Sequence, residues 1–396
     1  MRRKFFCLFL FAVVGSSTIA QERIKEVEPY SFSVGINGDA FSEERVTYVV
    51  RGNIDLKGKV VKLGKNAVIK IVGGSLNNGI LLMKSGSSLV GEKNKQASAE
   101  NLKIQVGGND VTVSDFNWSN KGVALLSYSD CDNLAVNRCN ITSYNSNSIK
   151  LVADHVNGVI ENVKILNSTL SFKRMGIELQ NHGNNQCRFD GVEIKYCHFK
   201  MLEPPQYGYA ISFSGYGRNA LVSKCNISRA VTGVEMAGFS NVKIYDNVFR
   251  GISSKAVVAS NNREMHDIEI VRNDFNHPSA KIQLANANHV LMADNKMKLS
   301  YIEMIGCSNC SVVRNCMETY GHYALILDGG KKDTKNNQIK DNIVNQGRNN
   351  WAVFRCYGEN SSANQFIGNR VTRSGKKGVL FDQKKGASGN TMIQKK

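Results

Sequence analysis

Along most of this chain, apolar and polar residues alternate in short bursts around one recurring small polar residue. "NVKIYDNVFR" (Asn241 to Arg250) returns as "DIEIVRNDFN", "HVLMADNKMK" and "CSVVRNCMET". Aligned on Asn247, the same place is taken by Ser114, Cys139, Ser168, Cys197, Cys225, Asn273, Asn295, Asn315, Asn342 and Asn369, at intervals of 20 to 29 residues. An apolar side chain stands three residues before it, as in Val111, Val136, Ile165 and Ile244, and another two residues after it, as in Phe116, Ile141, Leu170 and Phe249. Period-two alternation on both sides of a tight turn predicts two short strands. A third apolar strand follows a variable loop, seen in "GIELQ" at Gly176, "AISFS" at Ala210, "GVEMA" at Gly233, "KIQLA" at Lys281 and "YIEMI" at Tyr301. Three strands in so few residues cannot bury their own apolar side. Units stacked ~4.8 Å apart can, by forming three parallel sheets around one continuous core. The turn residue then lies on its counterpart in the next coil, where an Asn amide can pass hydrogen bonds along the stack.

The pattern resembles the right-handed parallel β-helix of the pectate-lyase-like superfamily. The resemblance covers Val111 to about Ile393, and Asn247, Asn273, Asn295, Asn315, Asn342 and Asn369 resemble its Asn ladder. It implies an all-β fold, a single-stranded, three-sheet solenoid. It does not choose a function, because the superfamily includes lyases, hydrolases, epimerases, tailspikes and adhesins. The preceding stretch, "YVVRGNIDLKGKVVKLGKNAVIKIVGGSLNNGILL", is strand-rich but less regular. Residues 21–110 are therefore expected to form a cap and first irregular coils, and residues 111–396 the repeats, with no Pro-, Gly- or Ser-rich linker between them.

The opening "MRRKFFCLFLFAVVGSSTIAQ" has a basic start, an apolar run from Phe5 to Val14 and small residues leading to Ala20, which is the pattern of a secretory signal over residues 1–20. The run is short of the ~20 residues a spanning helix needs. A secreted or periplasmic protein without a transmembrane segment is expected. Removing the three basic residues of this leader from 51 Lys+Arg leaves 48 against 33 Asp+Glu, a net +15. Such a surface attracts polyanions, and for an exported protein these are acidic polysaccharides, lipopolysaccharide or host glycosaminoglycans rather than nucleic acid. Nothing in the sequence calls for a partner subunit, and a monomer is expected.

Nine of the ten cysteines remain after leader removal, so at least one is unpaired. Cys139, Cys197 and Cys225 hold the ladder place, which favours buried packing, though Cys197 and Cys225 in adjacent coils are close enough in register to bridge. "CSNC" at Cys307 to Cys310 is half a zinc site without its second half, so no metal site is expected.

Chemistry is expected on the outer side of the third strand, which the resemblance implies is the glycan groove. Its outward residues run Lys150, Glu178, Ser212, Glu235, Val258, Gln283, Glu303 and Ile326, with a second column through Gln180, Ser214 and Asp328. Glu178 and Glu235 are one intervening coil apart, ~10 Å between backbones from the strand spacing. Inclined side chains would approach the roughly 6.5–9.5 Å carboxyl separation of inverting glycosidases. Lys150 can neutralise Glu178 or a substrate carboxylate. For a lyase, Lys150 or Arg174 would be the cation that stabilises the enolate, His182 or Tyr209 the base, and calcium the cofactor that the resemblance brings. The longest coil, "KMLEPPQYGYAIS", offers Tyr207 and Tyr209 for stacking on sugar rings, with Ser212, Gln283 and Glu303 as further substrate contacts.

The chain departs from the known enzymes of the superfamily. It lacks the Arg-x-Pro-x-x-Arg motif and clustered Asp residues of pectate lyases, and only "GHY" at Gly321 matches part of a polygalacturonase motif. The expected function is a secreted, polysaccharide-active β-helix protein, a lyase or glycoside hydrolase acting on an acidic glycan. The alternative is a non-catalytic glycan-binding or adhesin-like β-helix.

Overall fold

Each short strand has one apolar face, and stacking in register is the arrangement that buries all of them at once. A computed structural model of the chain describes residues 23–93, 97–128, 130–153, 158–181, 188–203, 207–260, 263–320, 323–346, 352–373 and 380–394. The leader expected at residues 1–20 lies outside the described residues, as do His182, Pro204, Pro205 and the Gly321–His322 pair. Among the described residues three parallel sheets of 16, 14 and 14 strands carry the fold, and within each sheet hydrogen-bonded neighbours come from successive coils. The repeated strand typified by Phe239–Tyr245 builds the first sheet, Val248–Arg250 belongs to the second, and Lys255–Ala259 to the third, here called the site sheet. The only α-helix among the described residues is Pro29–Gly35, which packs on the strand Asn53–Asp55. Strands from Val46 onward already join the same three sheets, so the stretch before Val111 adds complete coils to one continuous core.

The ladder places Asn247, Asn273, Asn295, Asn315, Asn342 and Asn369 one above another. Each amide oxygen from Asn273 to Asn369 accepts both the backbone N–H and the side-chain amide of the Asn in the coil before, as from Asn273 to Asn295 at 2.8 and 3.1 Å. At the other end Ser168 Oγ accepts the Cys139 N–H at 3.1 Å, so a hydroxyl can fill the place. One register differs from the sequence reading. Ser114 pairs with Asn137 and Asn117 with Asn140, which puts Phe116, not Ser114, opposite Cys139 and moves the first repeat by two residues. The reason is the turn: the left-handed residue of that coil is Asp115 (φ 55°), stacked on Arg138 (φ 52°), whose guanidinium grips its carboxylate. The same turn position carries Arg272 on Asp246 and Arg314 on Asp294, an exposed ion-pair column outside the buried ladder.

A second amide ladder, absent from the sequence reading, joins Asn337, Asn364 and Asn390 at the corner leading into the first sheet. Its members precede the strands Gln338–Lys340, Gln365–Ile367 and Thr391–Ile393 directly, and "NNQI", "ANQF" and "GNTM" are its trace in the sequence. The eight described cysteines are unbridged. Cys197 and Cys225 do face each other, thiol to thiol, but each also contacts the carbonyls of its own and the preceding coil rather than forming a bond. Burial pushes the thiols of Cys139 and Cys310 up to about 12 and that of Cys307 to about 11, which leaves them packing groups rather than nucleophiles.

Candidate functional site

The site begins with strand alternation. In Met175–Gln180 the residues Ile177 and Leu179 are fully buried in the core, so Glu178 between them faces outward. The same alternation aligns Lys150, Glu178, Ser212, Glu235, Val258, Gln283, Glu303 and Ile326 in one continuous hydrogen-bonded register, as the sequence reading placed them. The column runs on through Arg355 and Asp382. In the second column Gln180 stands beside Ser214, whereas Asp328 lies far along the sheet beside Ile305.

The two carboxylates occupy unlike surroundings. Glu178 is only 8% exposed although it faces out. Its Oε2 is held by Lys150 Nζ at 3.0 Å and accepts Asn147 Nδ2 at 2.7 Å. Asn147 comes from the loop that enters the strand Ile149–Val152, one coil before. Glu235 accepts a hydrogen bond from Ser212 Oγ at 2.7 Å, and no cation lies within ion-pair distance of it among the described residues. Burial raises the Glu235 carboxyl above the usual glutamate range, opposed by the hydroxyls of Ser212 and Ser260 and by the Lys255 charge, and reinforced by Glu178.

Two tyrosines lie near enough to this pair to feel its charge. Tyr207 and Tyr209 meet edge to face with ring centroids 5.0 Å apart. Burial raises both phenols, and the field of Glu235 adds to it at each, while Arg174 pulls Tyr207 the other way. Tyr209 is in register with Met175 on one side and Thr232 on the other, and its N–H bonds the Arg174 carbonyl at 3.0 Å. Lys150, Arg174, Glu178, Tyr207, Tyr209, Ser212 and Glu235 therefore share one neighbourhood.

Gln283 and Glu303 are in the column but not in that neighbourhood, because Val258 intervenes. They form their own network: Glu303 Oε2 accepts Gln283 Nε2 at 2.9 Å and pairs with Lys281 Nζ at 3.0 Å. Farther along, Arg355 grips Asp382 at 2.8 and 2.6 Å under the Tyr323 ring. Sequence reasoning missed Asn147, Ser260 and Lys255. Asn147 is a loop residue with no periodic signal. Lys255 lies at the start of its strand, in register with Thr232 and Lys281, and makes no ion pair among the described residues.

No three His, Cys, Asp or Glu side chains converge to hold a metal among the described residues. Ser212 separates Glu178 from Glu235, and both carboxylates already accept protein donors, so this donor set does not fit calcium. A polar cleft of about 460 Å³ lined by Glu264, Asn288, His289, Ser308 and Lys332 lies at the corner beyond the site sheet, over coils that do not carry the carboxylate pair.

The family comparison agrees with this architecture. The family described as "Right handed beta helix region" matches residues 128–297 and 232–393. No curated protein matches the chain. Among solved structures, the Dettilon tailspike protein (gp208) is similar at 12% identity and a TM-score of 0.42, over 83% of this chain and 62% of that one. This chain thus spans less than two thirds of the tailspike's length. The DFA-IIIase from Arthrobacter chlorophenolicus A6, without its lid, is similar at 10% identity and a TM-score of 0.38, over 87% of this chain and 83% of that one. The A-module of the mannuronan C-5 epimerase AlgE4 from Azotobacter vinelandii is similar at 11% identity and a TM-score of 0.38, over 90% and 98%. The matched family spans well over half of the sequence, and the chain belongs to the right-handed β-helix family.

Proposed function

We propose that the protein is an exported, monomeric, glycan-processing β-helix that cleaves an acidic polysaccharide laid across the site sheet, with Glu178 and Glu235 as the proton-transfer pair. The observation that carries this reading is the placement of two outward carboxylates two strands apart in one column, in different surroundings, near a tyrosine pair that feels their charge. Two strand steps put their backbones ~10 Å apart, which suits a sugar ring and a water between them. The tyrosines offer flat, half-apolar surfaces for a sugar face. Lys255 acts on Glu235 and Arg174 on Tyr207, both without carboxylate partners among the described residues, and a net +15 on the mature chain favours an anionic polymer.

Hydrolysis fits better than elimination. Lys150 is committed to Glu178, and the Tyr209 hydroxyl holds its proton more tightly than a free phenol, which makes it a poor base near neutral pH. His182, the other base considered, lies outside the described residues. The same commitment of Glu178 to Lys150 and Asn147 is the observation that favours the second reading, glycan binding without cleavage. Incubation with a panel of acidic and neutral glycans, read by reducing ends and by the ultraviolet absorbance of unsaturated uronates, separates the readings. Saturated reducing ends support hydrolysis, unsaturated ends elimination, and retention on the glycan without products binding alone. Full activity in a Glu178→Gln, Glu235→Gln double variant would exclude the pair.

A further inference from the structure

Nothing in the column's register explains why Glu178 and Glu235, identical side chains on identical strands, should be treated so differently by their neighbours. Glu178 receives an ammonium at 3.0 Å and an amide N–H at 2.7 Å on the same oxygen, both from the preceding coil. All these donors stabilise the ionised form only, since Lys and the Asn NH₂ have no lone pair to offer a carboxylic acid proton. Glu235 receives a hydroxyl from Ser212, a group that can turn to accept as well as donate, and has the Ser260 hydroxyl and the Lys255 charge as its other polar neighbours. Resting on the reading that the two carboxylates act on a glycan, we propose that Asn147 is a positioning residue which, with Lys150, keeps Glu178 ionised and so leaves Glu235 as the partner that carries the proton.

The division of labour follows. Glu235 gives its proton to the glycosidic oxygen as the bond from that oxygen to the anomeric carbon breaks. Glu178 takes a proton from a water whose oxygen bonds to the anomeric carbon on the opposite face. One water is consumed, and exchange with solvent returns Glu178 to its anion and Glu235 to its acid. The groups that face Glu235 are Ser212, Ser260, Lys255, Tyr207, Tyr209 and, two strands away, Glu178; those that face Glu178 are Lys150, Asn147, Tyr207 and Glu235. Burial raising the Glu235 carboxyl agrees with this polarity. Asn147 acts through Glu178 and is not itself a catalytic residue.

The test has two arms on the full-length protein. In the kinetic arm, kcat/KM is measured against pH on the glycan that the wild type cleaves. Asn147→Ala and Lys150→Met should each move the acidic limb to higher pH by about one unit, the size expected when a neighbouring charge or donor is removed, and leave the alkaline limb in place. Glu235→Gln should lower turnover of the native glycan by at least ~100-fold yet cost less than ~10-fold on an oligosaccharide with a dinitrophenolate leaving group, which needs no proton. Glu178→Gln should lose both. Movement of the alkaline limb instead, or rescue of Glu178→Gln by the activated leaving group, overturns the assignment while leaving the cleavage reading intact. In the second arm, carboxyl groups labelled with carbon-13 are titrated by NMR and assigned with the two Gln variants. Glu235 keeping its proton to higher pH than Glu178, and the two converging in Asn147→Ala, supports the inference even if no glycan is cleaved, in which case only the cleavage reading fails. Equal titration of the two groups in the wild type overturns it.

Discussion

Replacing Asn295 by Ala tests whether the buried amide ladder, rather than strand pairing alone, holds neighbouring coils together. The side chain makes four hydrogen bonds: its Oδ1 accepts Asn273 N–H at 2.8 Å and Asn273 Nδ2 at 3.1 Å, and its Nδ2 donates to Ile270 O at 2.8 Å and Asn315 Oδ1 at 2.9 Å. Two of the partners keep other bonds after truncation. Asn273 Nδ2 retains Ile244 O, and Asn315 Oδ1 retains the Asn295 N–H. The Asn273 N–H loses its acceptor in a turn where Asn273 and Asn295 are each 1% exposed, whereas Ile270 stays in its strand pairing with Met292. At about 1–3 kcal/mol for a buried group left unsatisfied, the expected loss is ~1–3 kcal/mol, with ~2 as the centre. Asn295→Ser should cost roughly half as much, because Ser168 shows that a hydroxyl in this place can accept the N–H of the preceding coil. Urea unfolding followed by circular dichroism measures both. A loss below ~1 kcal/mol for the Ala variant, or equal losses for Ala and Ser, would refute the account in which the orphaned Asn273 N–H carries the cost.

Four further outcomes are expected. Because burial lifts Glu235 above the ordinary glutamate range of about 4.3, the native state binds its proton more tightly than the unfolded chain. That stability is fully present below about pH 4.3 and is lost as pH rises through the native value, so Glu235→Gln should gain on the wild type between pH 4 and 8 in thermal melts; a constant difference would contradict it. Lys255→Gln should weaken binding of an acidic oligosaccharide several-fold and flatten its salt dependence while leaving a neutral analogue unaffected, as titration calorimetry at two ionic strengths would show. Cys225→Asn should extend the ladder by one step toward Cys197 and stabilise by about 1 kcal/mol, the net worth of one added hydrogen bond, in the same urea assay; destabilisation would mean the place is too tight for an amide. We propose that residues 21–110 cap the solenoid, so a chain starting at residue 111 should bind a hydrophobic dye or aggregate, and a monomeric, cooperatively melting truncation would contradict this.

The repeats were legible because a solenoid writes its fold locally. Each coil buries the same positions against the next, so Val136, Ile165, Ile194 and Val222 recur at one offset from the turn, and the register of a whole sheet follows from a short repeated phrase. The outward column from Lys150 to Ile326 followed for the same reason, since alternation in a strand leaves each residue only two faces to choose from. Where the turn itself moved, the phrase misled: Asp115 takes the left-handed conformation, and the first repeat slid by two residues. Side chains that act across coils left no such trace. Asn147 reaches Glu178 from a loop 31 residues earlier, and Ser212 separates two carboxylates that are 57 positions apart, so their hydrogen bonds depend on stacking rather than on any spacing within a repeat. The sequence alone thus determined which faces are buried and which residues share a column. The tertiary structure decided how those residues are used: it paired Glu178 with Lys150 and Asn147, set Glu235 against the Ser212 hydroxyl, and tied Glu303 to Lys281, because desolvation and charge pairing depend on neighbours brought together only when the coils close.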